Sequence, residues 1–395
     1  MRGHPVGSAL APILALGLLW GCGSEEGPSG PVTDLSLDVP AWTGSVVMEI
    51  GRDPADGPYL LGQVTGVAVD SEDRIHVADR LAHEVRVFDS DGRFLEAAGG
   101  AGSGPGELLR PCCLAVDGEG RLWVRDTGNA RYNLYRWYAG ALGFVEQRGM
   151  VHPDPNFGPR TTFGPDGELV DVGHRVDPAS GGRVLVRHHV GASGTVLRED
   201  SVPTASADEL GAFVVERTSG ENRSSFFFYP PFGPGHFVAH GPGGGWATAL
   251  GSTYRVTWWD ALGVPRPEIH VPAAQGAPVG SVEGAEAEAR IADQLGSLGV
   301  NLSESRFRVP ERKPPITGLF FDTAGWLWVE RSVGEGEDPR AEVFGPDGRL
   351  RARASWPRGV RLRDGVVFRD RAWAPALRDG MPVVVRLSWE EGPGG

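Results

Sequence analysis

The stretch TGVAVDSEDRIHVADRLAHEVRVFDSDGRFLEAAG, residues 65–99, alternates short apolar runs with clusters of turn-forming residues. Residues 66–69, 74–78, 84–88 and 93–97 have the length and β-branched content of strands. Between them, Asp70-Ser71-Glu72-Asp73 and Asp89-Ser90-Asp91-Gly92 supply the side-chain oxygens and the glycine that tight turns use. Val85 and Val87 alternate with Arg86 and Phe88, the period of two expected where both faces of a strand are packed differently. Four such strands form a unit that cannot bury its faces alone, so copies of it are expected to stack.

The copies are present. Laid over itself, the chain places residues 48–79 on 95–126 without a gap. The matches include Glu49/Glu96, Gly57/Gly104, Ala68/Ala115, Asp70/Asp117, Arg74/Arg121, Val77/Val124 and Asp79/Asp126. The pattern returns at 317–322 and 343–349. Six units follow, near 60–100, 109–148, 159–199, 234–271, 314–355 and 359–389, the third and fourth being degenerate. This grammar predicts an all-β, six-bladed β-propeller over 41–395. Residues 44–50 fall where a blade's outermost strand falls in the next copy, so the N-terminal strand is expected to complete the last blade and close the ring. One helical insertion is expected at about 281–299, from Val282, Ala285, Ala289, Ile291 and Leu295 with Gly299 near its end.

Residues 66–97, followed by Gly104-Pro105-Gly106-Glu107, resemble an NHL repeat, and the whole chain is similar to bacterial six-bladed propeller lipoproteins of the NHL/TolB-like kind. The family pattern fades beyond about 100 residues to strand spacing alone. The resemblance implies the fold; it carries no defined activity.

Ahead of the repeats, Arg2 and an apolar run from Ala9 to Trp20 fit a signal peptide and are too short for a permanent span. Leu19-Trp20-Gly21-Cys22 resembles a lipobox, which implies removal of residues 1–21 and lipidation of Cys22. Trp20 departs from the small or aliphatic residue usual at its place. Residues 22–40 then read as a flexible tether. Gly23 after the cysteine resembles outer-membrane sorting, so the expected address is the cell envelope, facing the periplasm or the surface.

With 38 basic and 51 acidic side chains, the chain carries a net charge of −13, which gives no electrostatic support for nucleic-acid binding. The 59 glycines and 32 prolines imply many turns and few long helices. Long connections at 99–111, 149–160, 200–234 and 271–315 lie on one face of the disc, where binding groups on a rigid scaffold usually sit. They are equally read as neutral drift, because loops lengthen at little thermodynamic cost. Arg110, Arg131, Tyr132, Arg160, His174, Arg175 and Tyr229 are the candidate ligand-binding residues of that face. Phe226 to Tyr229 form either an exposed contact patch or a plug beneath the insertion.

No HExxH or CxxC motif occurs. Asp79 and Asp126 end matching strands and are weak candidates for a metal ion; the alternative is that they cap turns or pair with Arg80, Arg125 and Arg131. No cofactor is assigned, calcium being the one such a channel would accommodate. Cys112 and Cys113 read as a strained disulfide, as a buried inert pair or as metal ligands. No matched nucleophile and base is seen, so no catalysis is assigned. The expected function is a membrane-tethered binding scaffold for an envelope protein, peptide or glycan. The alternative is a calcium- or zinc-dependent hydrolase or lyase at the mouth of the central channel.

Overall fold

A computed structural model describes residues 32–392 apart from 52–56, 152, 154–159, 177–182, 220–221, 303–304 and 306. The expected signal peptide, Cys22 and the first part of the expected tether lie outside the described residues.

Six blades surround a central channel. Blade 1 comprises Val64–Val69, Ile75–Asp79, Glu84–Phe88 and Phe94–Gly99, and blade 2 comprises Pro111–Val116, Arg121–Asp126, Arg131–Tyr138 and Ala141–Gly149. Blade 3 runs through Thr162–Phe163, Leu169–Val176, Arg183–Val190 and Val196–Val202; blade 4 through His236–His240, Trp246–Leu250, Arg255–Trp259 and Ile269–His270. Blade 5 is Ile316–Phe321, Leu327–Arg331, Arg340–Phe344 and Leu350–Ser355. Blade 6 takes Val366–Val367, Arg371–Arg378 and Met381–Gly392 from the C-terminal end and Ala41–Ile50 from the N-terminal end.

In blades 1, 2 and 5 the turn carboxylates of the repeat stitch the first hairpin. Asp70 accepts from Arg74 and lies 3.0 Å from His76 Nε2; Asp117 accepts from Trp123 Nε1 at 2.8 Å; Asp322 accepts from Trp328 Nε1 at 3.2 Å. In each case the partner ring sits six residues on, which fixes a large side chain against the turn. Burial alone would raise the pKa of Asp70, but the bonds from His76 and the turn amides hold it down at about 2.

Neighbouring blades bury their facing strands against each other. Val85 and Val87 of blade 1 meet Leu114, Leu122 and Val124 of blade 2, all at most 5% exposed. Each such fully buried side chain contributes roughly 1.5–3 kcal/mol of apolar burial. Around the channel, threonine hydroxyls link inner strands: Thr65 to Pro111 O at 2.7 Å, Thr161 to Cys113 O at 2.6 Å and Thr162 to Gly241 O at 2.7 Å.

The first strand, Ala41–Ile50, pairs antiparallel with Met381–Gly392, from Ala41 opposite Gly392 to Ile50 opposite Val384. Ala41–Thr43 also pair in parallel with Arg353–Ser355 of blade 5, so blades 5 and 6 form one continuous eight-stranded sheet. Gly44 is required there, because a Cβ would lie 2.9 Å from the Trp389 ring.

Part of the expected tether is held against the ring. Thr33 exchanges two hydrogen bonds with the backbone of His270, Arg353 donates to the carbonyls of Leu35 and Leu37, and Leu35 and Val39 pack on the blade 4–5 core. A chain so bonded cannot act as a free linker, so residues 33–39 belong to the folded unit.

Two insertions stand on the face that carries the inter-blade loops. A hairpin, Phe213–Ser219 with Asn222–Phe228, lies between blades 3 and 4, and a helix, Ser281–Gly296, between blades 4 and 5. Glu283 reaches back to the Gly280 N–H at 2.7 Å and ion-pairs with Lys313 at 2.7 Å, fixing the helix start. Ala287, Ile291 and Leu295 form its buried stripe, and Ile291 and Leu295 join Val215 of the hairpin and Phe307 in one cluster. Among the described residues no helix is long and apolar enough to cross a membrane.

Candidate functional site at the channel mouth

A cavity of about 470 Å³ opens at the channel mouth on the loop-rich face. Blade 1 contributes Gln63, Val64, Thr65 and Arg80; blade 2 contributes Arg110, Pro111, Cys112, Cys113 and Thr127; the entry to blade 6 contributes Arg361 and Asp364. Buried carboxylates fix the backbone under two of these walls. Asp79 accepts from the amides of Gly62, Gln63, Leu81 and Ala82. Asp126 accepts from the amides of Leu109, Arg110 and Gly128 and from the Asn129 side chain. Both side chains are fully buried.

Those contacts correct the metal reading of Asp79 and Asp126. Their oxygens are occupied by N–H donors, and donors that converge on an oxygen leave no room for a cation. Among the described residues no group of three or more His, Cys, Asp or Glu could hold a metal ion.

Cys112 and Cys113 are joined by a disulfide and lie half-buried on the cavity wall. Cys113 has a backbone φ of 59°, in the left-handed region that non-glycine residues seldom adopt. The pairing register of the strand shifts between Cys112 and Ala115, as it does between Val64 and Gly66 in blade 1 and between Ile316 and Gly318 in blade 5.

The electrostatics of the mouth are one-sided. Arg361 ion-pairs with Asp364 at 3.1 Å and donates to Val64 O. Arg110 Nε is buried without a hydrogen-bond partner among the described residues. Arg80 makes no side-chain hydrogen bond or ion pair among them. In the channel, Arg160 donates to Phe321 O at 3.3 Å; burial lowers its pKa, and the charge of Asp364 opposes that effect. Beside the mouth, Arg363 faces Glu330 at 3.6 Å, whose pKa is raised by burial.

Of the seven sequence-predicted ligand residues, Arg110 lines the mouth and Arg160 enters the channel. The others lie elsewhere. Tyr132 is 1% exposed, its hydroxyl bonded to Asp171 at 2.7 Å, so it belongs to the core between blades 2 and 3. Arg131 donates to the carbonyls of Ser103, Gly104 and Glu107, bracing the loop between blades 1 and 2. Arg175 pairs with Glu199 at 3.0 Å within blade 3, and His174 sits half-buried on the same strand. Tyr229 is exposed at the end of the hairpin, away from the cavity walls. The aromatic run divides as strand alternation dictates: Phe228 stacks on Phe213 above the helix, whereas Phe227 and Tyr229 are 58% and 60% exposed.

Sequence reading missed Arg80, Arg361 and Asp364. Arg80 follows Asp79 as Thr127 follows Asp126, so the repeat alignment places the two at equivalent positions. Arg361 and Asp364 precede the first strand of blade 6 and carry no local signal. On the opposite face, a second cavity of about 470 Å³ is lined by Trp258, Trp259, Leu262 and Phe321.

Comparison with known proteins agrees with the propeller fold. A family model described as a 6-bladed beta-propeller matches residues 58–137. The chain is 31% identical over 137 residues to NHL-repeat-containing protein 4 of Mus musculus, across 34% of this chain and 94% of that protein. It belongs to the NHL-repeat-containing proteins. Among solved structures, virginiamycin B lyase from Staphylococcus aureus is 12% identical with a TM-score of 0.42, over 88% of this chain and 99% of that one. The PQQ-bound aldose sugar dehydrogenase from Streptomyces coelicolor is 15% identical with a TM-score of 0.39, over 92% and 100%. No ligand or chemistry is carried over from either.

Proposed function

We propose that this propeller is a membrane-tethered envelope protein that binds an envelope protein, peptide or glycan at the mouth of its central channel and performs no chemistry there. One observation carries the reading: the groups that line the cavity are guanidinium, hydroxyl, amide and disulfide, with a single carboxylate, Asp364, already paired to Arg361. Arginine stays protonated and donates only, so this set suits recognition better than proton transfer. The walls are also pre-formed, since buried carboxylates and inter-blade hydroxyls hold the backbone before any ligand arrives.

The tether rests on the Cys22 sequence context. Cys22→Ala should move the protein from the membrane fraction to the soluble fraction and abolish incorporation of labelled fatty acid; retention of both would remove the tether from the proposal. Binding is tested by capture of cross-linked envelope material on the wild-type protein and on Thr65→Trp, which fills the mouth. Equal capture by both would place recognition elsewhere.

A further inference from the structure

We infer that the group received at the channel mouth is an oxyanion, a carboxylate or phosphate borne on a larger molecule, held by Arg80, Arg110 and Arg361. This rests on the reading of the mouth as the binding site and names the chemistry it selects.

The charge at the mouth favours an anion. The chain has a net charge of −13, yet three guanidiniums from three blades converge on one cavity that holds a single carboxylate, with a fourth, Arg160, in the channel. A cleft lined by one sign of charge focuses its field and raises the local concentration of the opposite ion.

The mouth also has unmet bonding capacity. Arg361 is only partly neutralised by Asp364, the buried Nε of Arg110 lacks a partner among the described residues, and Arg80 has no ion pair among them. Cations set beside one another repel and leave donors unused, and a planar or tetrahedral oxyanion relieves both costs through charge-assisted, often bidentate, hydrogen bonds.

The backbone beneath the cations is fixed in place. Arg110 donates its own backbone N–H to buried Asp126, and Arg80 directly follows buried Asp79, so both cations project from a pinned backbone. A volume of about 470 Å³ admits one sugar or a short peptide end, not a folded surface, so the anion must be terminal or on a flexible segment.

The test uses the full chain, purified in detergent, with calorimetric titration of galacturonate against galactose, Glu-Glu against Gln-Gln, and inorganic phosphate. The expected result is binding of the acidic member of at least one pair, or of phosphate, without binding of the neutral members. That binding should weaken as salt rises from about 20 to 200 mM and fall by about tenfold or more in Arg80→Gln and Arg361→Gln. The carboxylate and phosphate arms separate the two sources of the anion. Binding of galactose or Gln-Gln that is lost in Thr65→Trp would overturn the anion while leaving the mouth as the site. Acidic binding unchanged in an Arg80→Gln/Arg361→Gln double variant would overturn both. Absence of binding by every probe would overturn the anion inference. Arg80 and Arg361 are not buried, so unchanged melting of the variants identifies a loss as local.

Discussion

The Asp126 carboxylate accepts the backbone N–H of Arg110 at 2.8 Å, tying the end of blade 2's second strand to the loop that enters its first. The same oxygens serve Leu109, Gly128 and Asn129. Asp126→Asn replaces one acceptor with a donor that faces other donors, at a cost of about 1–3 kcal/mol. The variant should melt several degrees lower, and Asp79→Asn should do the same through Gly62 and Gln63. Thermal unfolding followed by circular dichroism checks this; melting identical to wild type would show that the turns stand without their carboxylates.

Removal of residues 41–51 takes away the outer strand of blade 6 and the parallel link to blade 5 together. It also exposes the Val384 and Val67 side of the blade 6–1 core, to which Ile50 contributes. The truncated protein should lose cooperative unfolding or aggregate, read by calorimetry and size-exclusion chromatography. A sharp transition at the original temperature would disprove closure by this strand.

Position 113 separates backbone from sulfur. Its φ of 59° favours glycine, so Cys113→Gly should keep the fold near wild-type stability, whereas Cys113→Val should lose about 1–3 kcal/mol. Chemical denaturation of the two variants decides it, with a reversed order refuting the backbone argument. In the native protein, maleimide should label Cys112 and Cys113 only after reductant, as read by peptide mass spectrometry.

His240 is fully buried, and neither ring nitrogen has a hydrogen-bond partner among the described residues. Burial, then the charges of Arg187 and Arg125, depress its pKa well below 6.5. The unfolded chain therefore binds this proton first, and stability is lost as pH falls below about 6.5. His240→Leu should flatten that limb of the stability profile. Asp70 adds a lower limb: its folded pKa of about 2 against 3.8 gives stability that is complete above 3.8 and lost as pH falls toward 2. Urea midpoints measured across pH 7 to 3 check both, and a His240→Leu profile parallel to wild type would exclude the histidine as the cause.

The propeller was legible because its repeat is local. A turn carboxylate and a ring six residues later lie in one hairpin, so Asp70/His76 and Asp117/Trp123 are visible as sequence spacing. Closure was legible for the same reason, since residues 44–50 sit in register with a blade's fourth strand. The site was much less so. Tyr132 and Arg131 carry side chains suited to recognition, but burial and neighbouring carbonyls, set by the packing of separate blades, occupy them. Arg80 and Arg361 meet only because the ring brings blade 6 beside blade 1, a contact between positions far apart in the chain that leaves no local pattern.

The pairing of Ala41 with Gly392 also orders events in time. Nearly the whole chain separates these residues, so this contact carries the largest loop-closure demand in the molecule. Blades 1 to 5 can assemble as their own strands are synthesised, while the sheet edge of blade 6 has no mate other than a segment made long before it. The first ring strand to leave the ribosome is the last to find its partner, and until residues 381–392 exist the chain can form an arc of blades but no ring.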